Sequence, residues 1–276
     1  MPRRLLAVNA DDFGFTSDVN LGIVEAHRRG ILTSTTLMAN GGAFGGAVRL
    51  AREYPSLDIG AHLVLTGGMS VAKPGAALPA SVPALVRQVA LRRIDIAGEL
   101  RAQIERILAA GITVSHLDTH KHTHLLPPVL EQVARLAAEF GIRWVRRPLD
   151  LPLHGSPADV PLQIRLANRA MGSLRSHFHR VLTRHGCHTT DWFAGFQMTG
   201  RYDAEWLVRL LRSIPEGITE FMTHPGFCRA ELRAARTRLK QSREAELAAL
   251  TDPRVIETVR SEGIRLASYA DLPCLE

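Results

Sequence analysis

The residues of this chain that could do chemistry are crowded into a few short stretches. The densest is SHLDTHKHTH, residues 115–124, which holds four of the twelve histidines and one aspartate. His116, Asp118 and His120 alternate there, so they share one side for as long as the backbone stays extended. His122 and His124 fall beyond it, in the connection that follows. Near the N-terminus Asp11 and Asp12 stand next to each other, and since successive side chains of a strand point opposite ways, the two need different tasks. His62 sits between Gly60-Ala61 and Leu63-Val64-Leu65, and His224 precedes Pro225-Gly226. Two imidazoles and one carboxylate, with positions left for water, make the ligand set of a catalytic divalent metal. A spare aspartate then supplies a base for that water, which is the logic of metal-assisted hydrolysis. No G-x-S-x-G elbow is present and no cysteine has a histidine beside it in a motif, so covalent catalysis ranks lower.

These groups need a scaffold that collects them. Short β-rich runs at residues 5–10, 32–40, 58–65, 113–118, 143–147, 218–224 and 264–269 alternate with amphipathic stretches at 18–29, 96–111 and 127–140. Asp18 caps the first of these and Gly30 closes it, while two prolines open the last. The rhythm predicts a parallel sheet, and at 276 residues an α/β barrel in one domain leads a doubly wound sheet. No G-x-G-x-x-G follows the first run, which counts against dinucleotide binding. Ligands of parallel α/β folds bind at the carboxyl ends of the strands, where Asp11-Asp12, His62, Asp118 to His120, Arg146-Arg147 and His224 would meet. Two segments break the rhythm. Residues 66–83 read as a long loop. Residues 150–190 carry a stripe, Leu166, Ala170, Leu174, Phe178 and Leu182, with five arginines and no acidic residue between Val160 and Thr190. That pattern predicts a basic amphipathic helix, first as a packing element and second as a lid or peripheral membrane contact across 160–186.

Composition narrows the function further. A net charge of +7 and a pI near 10 would suit an anionic partner, yet the basic residues are dispersed and only 5% of residues are aromatic, so a nucleic-acid module is not expected. No apolar run reaches the 18 or so residues of a membrane span. The N-terminal MPRRLLAVNADD reads as a first strand and not as a signal peptide. Three widely spaced cysteines, Cys187, Cys228 and Cys274, argue against a disulfide framework and for the cytoplasm.

Taken in order, VNADDFGFT, TSTTLMANG, GAHLVLT, SHLDTHKHTHLLPPV and HPG resemble the YdjC-like carbohydrate deacetylases, which include chitooligosaccharide and hopanoid-associated deacetylases. The resemblance runs from Leu5 to the last strand and is loosest over 150–190. It implies a barrel-like (βα) fold related to the polysaccharide deacetylases and one divalent ion, Mg by family habit or Zn by ligand type. It implies Asp12, His62 and His120 as the metal ligands, with His116 and Asp118 orienting His120 from behind. Asp11 matches the family's base, and His224 matches a histidine at the rim, here the candidate acid. His122 and His124 would face the substrate channel, and Arg146 or Arg147 would meet substrate hydroxyls or an anionic group. The expected reaction is removal of an N-acetyl group from an amino sugar in an oligosaccharide or glycolipid, by a chain that could form a homo-oligomer. Two other readings are a metal-dependent phosphoester hydrolase and a sugar-binding protein that has lost its chemistry.

Overall fold

The structure, a computed structural model of the chain, describes residues 4–151 and 161–273. In chain order the elements are β1 (Arg4–Phe13), α1 (Ser17–Arg29), β2 (Ser34–Leu37), α2 (Phe44–Glu53), β3 (Asp58–Leu63), α3 (Val82–Ala90), α4 (Ile96–Ala109) and β4 (His116–Thr119). After a 3-10 turn (His120–Leu125) come α5 (Pro127–Glu139), β5 (Trp144–Val145), α6 (Leu162–Gly172), α7 (Arg175–Arg184), β6 (Trp192–Ala194) and α8 (Ala204–Ser213). The chain ends through β7 (Gly217–Thr223), α9 (Ala230–Ala234), α10 (Gln241–Leu250), α11 (Pro253–Ser261) and β8 (Arg265–Leu266). The described strands all pair in parallel, in the order β5-β4-β3-β2-β1-β7-β6, with β8 beside the start of β1. The two edges approach through single bridges, Trp144 with His188 and Asp150 with Phe193, so the sheet curls into the expected barrel-like fold.

Strand alternation sorts the side chains. Leu6, Val8 and Ala10 of β1 face outward into the main core with Val19 and Ile23 of α1. Ala7 faces inward and packs with Trp144, Ile218, Ala267 and Tyr269, an apolar plug at the amino end of the barrel. Two residues on along the same inward rows the side chains turn polar: Asn9, His116 and Glu220. Each is fully buried. His116 fits because β3 offers Gly60 opposite it, where an added Cβ would stand 2.5 Å from the imidazole. The ring stacks on Tyr269 at 3.8 Å between centroids. Another step along come Asp11, His62, Asp118 and Arg146, which is where the charge sits.

One irregularity in β1 matters for everything above it. The β1–β2 register slips between Ala10 and Phe13, and Asp12 has φ of +72°. A bulge of this kind re-aims the side chain at its centre. Asp11 and Asp12 therefore both reach the site, where a regular strand would send them to opposite faces.

The sequence-based expectations fare unevenly. β6, three residues long, carries no periodic signal and was not expected. The Leu166–Leu182 stripe is not one helix: α6 ends at Gly172, and α7 restarts at Arg175. Phe178 and Leu182 are buried, whereas Leu162 and Leu166 are 66% and 57% exposed. Residues 152–160 of that segment, and Cys274, lie outside the described residues; Cys187 and Cys228 are buried free thiols. No described helix is long and apolar enough to cross a membrane.

Candidate active site

Arg146, the first residue after β5, is fully buried at the centre of the site. Its Nη1 and Nη2 donate to Asp11 Oδ2 and Oδ1 at 2.8 and 2.7 Å, a bidentate fork. Nη1 also lies 2.7 Å from Asp118 Oδ2, and Nε donates to Glu220 Oε1 at 2.7 Å. One guanidinium thus gathers carboxylates from β1, β4 and β7. Removing it would leave three buried carboxylates without their counter-charge, a loss of about 3–5 kcal/mol or more. Burial alone would raise the Asp11 carboxyl; Arg146, then His62, outweigh it and hold the group well below the usual carboxylate range. Glu220 goes the other way. Burial outweighs Arg146 there and raises its carboxyl from 4.5 to about 7.

Asp12, His62 and His120 form a separate cluster beside this one. His62 Nε2 lies 3.4 Å and His120 Nδ1 3.3 Å from Asp12 Oδ1, and the two nitrogens are 3.2 Å apart. Two ligand atoms that each bind one ion at about 2.0–2.2 Å stand roughly 3.0–3.5 Å apart at tetrahedral or octahedral angles. Asp12 Oδ1 is buried and has no hydrogen-bond partner among the described residues. A buried carboxylate oxygen facing two imidazoles is an unsatisfied acceptor, and a divalent cation satisfies it. His62 donates its Nδ1 proton to Asp118 Oδ1 at 2.6 Å, which turns Nε2 toward Asp12. The donor set therefore fits a divalent ion. A second group, Asp11, His62 and Asp118, also lies close together. Its oxygens are already taken by Arg146, so the first group is the better fit. In the protein alone, burial lowers the His62 pKa but Asp118, then Asp11 and Asp12, raise it further, to about 9.

His224, just past β7, brings Nε2 to 3.9 Å from Asp11 Oδ2. Its backbone N–H donates to Glu246 Oε2 of α10 at 2.5 Å, and its Nδ1 lies 3.9 Å from the same oxygen. Burial pushes the imidazole below its usual pKa against the pull of Glu246 and Asp11. Arg243, also on α10 and almost fully buried, donates through Nη2 to Asp12 Oδ2.

The structure thus brings Asp11, Asp12, His62, His120 and His224 together, and it changes the surrounding assignments. Asp118 supports His62 and not His120. His116 does not touch His120 either: its Nε2 donates to Asn9 Oδ1 at 3.1 Å, and Asn9 Nδ2 donates to Asp11 Oδ1 at 3.1 Å. His124 faces no channel. It is fully buried, accepts from Thr119 Oγ1 and donates to the Arg146 carbonyl at 3.0 Å. Arg146 is committed to carboxylates and closed to solvent. Arg147 projects away from it, onto His179 Nε2 at 3.2 Å and the Asp191 carbonyl. His122, in a left-handed conformation, is buried against Phe193 and Phe196, and its Nδ1 has no hydrogen-bond partner among the described residues. Sequence reasoning missed Asn9, Glu220, Arg243 and Glu246. For the first two, the inward parity shared with Asp11 was the available signal. Arg243 and Glu246 lie in an ordinary helical stretch, QSREAELAAL, and carry none.

A parallel (βα) barrel with paired aspartates, two imidazoles and a histidine at its carboxyl-end rim defines the class. Residues 5–261 match the profile of the YdjC-like protein family, and the chain belongs to that family. It is 34% identical to a carbohydrate deacetylase of Brevibacillus brevis, over 97% of this chain and 99% of that protein. It is 32% identical to a chitooligosaccharide deacetylase of Salmonella schwarzengrund, over 98% and 99%. A crystal structure from Enterococcus faecalis V583, provisionally described as a cellobiose-phosphate cleavage protein, superposes with a TM-score of 0.76. It is 25% identical, over 99% of this chain and 100% of that one.

Proposed function

We propose that the protein is a metal-dependent carbohydrate deacetylase that hydrolyses the N-acetyl group of an amino sugar. The observation that carries this reading is the orphaned Oδ1 of Asp12, turned to two imidazoles, beside an aspartate held ionised by Arg146. The deacetylase names of relatives matched along nearly their whole length support the substrate class. A divalent ion held by Asp12, His62 and His120 would polarise the amide carbonyl and acidify the attacking water. Asp11, through Oδ2, the oxygen nearer His224, relays that water's proton to His224, since Arg146 keeps the Asp11 carboxyl too acidic to hold it. His224 is neutral before the proton reaches it, since burial keeps its pKa low. For the same reason its imidazolium is a stronger acid than free histidine, suited to protonate the departing amine. The C–N bond breaks as that proton arrives, the water oxygen stays on the acyl carbon, and acetate and a free amine leave. Glu246 holds the backbone of His224 through its N–H. His122 and the half-buried Phe196 beside it offer the sugar an apolar edge and an imidazole that burial, then Arg146, keeps neutral.

Acetate release from N-acetylated amino-sugar oligosaccharides, before and after treatment with a chelator, tests the proposal. Release that chelation abolishes and added metal restores is expected. Undiminished release in fully metal-free protein would refute the metal role. Sugar binding without any release would leave a binding protein.

A further inference from the structure

Asp12 pays for its place in the site twice. Its backbone is left-handed, a conformation strained for residues other than glycine, and its carboxylate is buried. Such strain persists only where the surroundings over-determine it. The imidazoles face Oδ1 alone, so something must fix the other oxygen. That is Arg243, whose Nη2 donates to Oδ2. The arginine is itself immobilised. Its backbone carbonyl accepts from Gly226 N at 3.2 Å, and its Cδ lies under the Gly226 backbone, where an added Cβ would stand 3.2 Å away. Gly226 in turn is pressed against α1, where a Cβ on Gly22 would fall 2.3 Å from the Gly226 Cα.

We propose that Arg243 is the positioning residue for Asp12: it occupies Oδ2, so that Asp12 offers Oδ1 alone, already set for a divalent ion. The inference rests on the metal reading above and assigns a role to a residue outside the ligand set. Two effects of Arg243 oppose each other. Its positive charge repels a dication, while its hydrogen bond fixes the ligand. The charge is already matched by Asp12 in the pair, so the positioning effect is the larger. Partners of this kind, when removed, weaken metal binding by about 10- to 100-fold.

Zinc affinity of the metal-free protein, read by competition with a chromogenic chelator, tests this without reference to activity. Arg243→Gln is expected to weaken zinc binding by about 10- to 100-fold. Arg243→Lys, which keeps a donor and the charge but not the planar fork, should recover part of the loss and carries the test if the glutamine variant fails to fold. A purely structural arginine would lower the urea stability of the metal-free variants and leave their zinc affinity at the wild-type value. That result, or tighter zinc binding in either variant, overturns the proposal. Wild-type protein that binds no divalent ion would instead overturn the metal reading, and this role with it.

Discussion

Asp11 and Asp12 are neighbours in the chain, equally buried, and held by different arginines. Arg146 takes both oxygens of Asp11, while Arg243 takes one oxygen of Asp12 and leaves the other facing the imidazoles of His62 and His120. Their amide variants should therefore fail differently. Asp11→Asn keeps the shape but cannot accept a proton, so zinc content should hold while turnover falls about 100-fold or more, as for a lost general base. Asp12→Asn removes a charged ligand, so zinc affinity should fall first, and excess metal should restore part of the activity. Metal content and acetate release, measured on both proteins, check this. Metal lost from Asp11→Asn and kept by Asp12→Asn would exchange the two roles. That two adjacent carboxylates need separate tasks was legible in the sequence. How a strand sends both into one site was not, because the bulge depends on the register of β1 against β2.

At the level of elements, what the sequence shows follows from how long each pattern runs. β1, β3 and β7 are long enough for alternation to mark them, and the carboxyl ends of these strands, which bear Asp11-Asp12, His62 and His224, are legible from that. β6 has three residues and no period to detect. In SHLDTHKHTH the strand stops at Thr119, so alternation does not carry as far as His120. From His120 the chain turns, Lys121 and His122 adopt left-handed φ of 55° and 51°, and each later histidine meets a different partner. His116 ended at the polar middle layer, holding Asn9, and so reaches Asp11 indirectly. That layer depends on Gly60, whose missing Cβ makes room for the imidazole. Gly60→Ala is expected to destabilise the protein by about 1–3 kcal/mol, the usual consequence of overpacking a filled interior. Chemical denaturation checks the stability. Turnover of the folded variant should also drop, since His116 and Asn9 brace Asp11; a variant with full stability would mean that the ring moves aside freely.

Across the whole molecule the site is a problem of charge balance inside a curled, barrel-like sheet. Arg146 and a protonated His62 match Asp11 and Asp118, and Arg243 matches Asp12. Glu220 is the carboxylate left over, and burial leaves it with a pKa of about 7. A folded-state pKa above the unfolded 4.5 means that the folded protein holds this proton more tightly. The stability it contributes is fully present below about pH 4.5 and is lost as pH rises through about 7. The depressed groups Asp11 and Asp12 act at lower pH, where their stabilisation disappears as they protonate. His62 acts mainly above, its contribution lost as pH rises through about 9. Asp150, raised to about 6, and the buried imidazoles of His116, His122, His124 and His224, all lowered, also act in the interval between pH 4.5 and 7, so the Glu220 share of that interval is read as the difference between the wild type and a variant at this position. A rise from 4.5 to about 7 corresponds to roughly 3 kcal/mol of stability lost across that interval. Glu220→Gln keeps an oxygen for Arg146 Nε and removes the proton. In metal-free protein, urea denaturation at pH 5 and pH 7.5 should show the wild type losing stability relative to this variant, by an amount of that order. Equal changes in the two proteins would mean that Glu220 is ionised throughout, with Arg146 serving three full negative charges. A divalent ion in place of the His62 proton adds positive charge to the same interior and should draw the Glu220 proton off. Saturating metal is thus expected to flatten the wild-type curve toward that of Glu220→Gln.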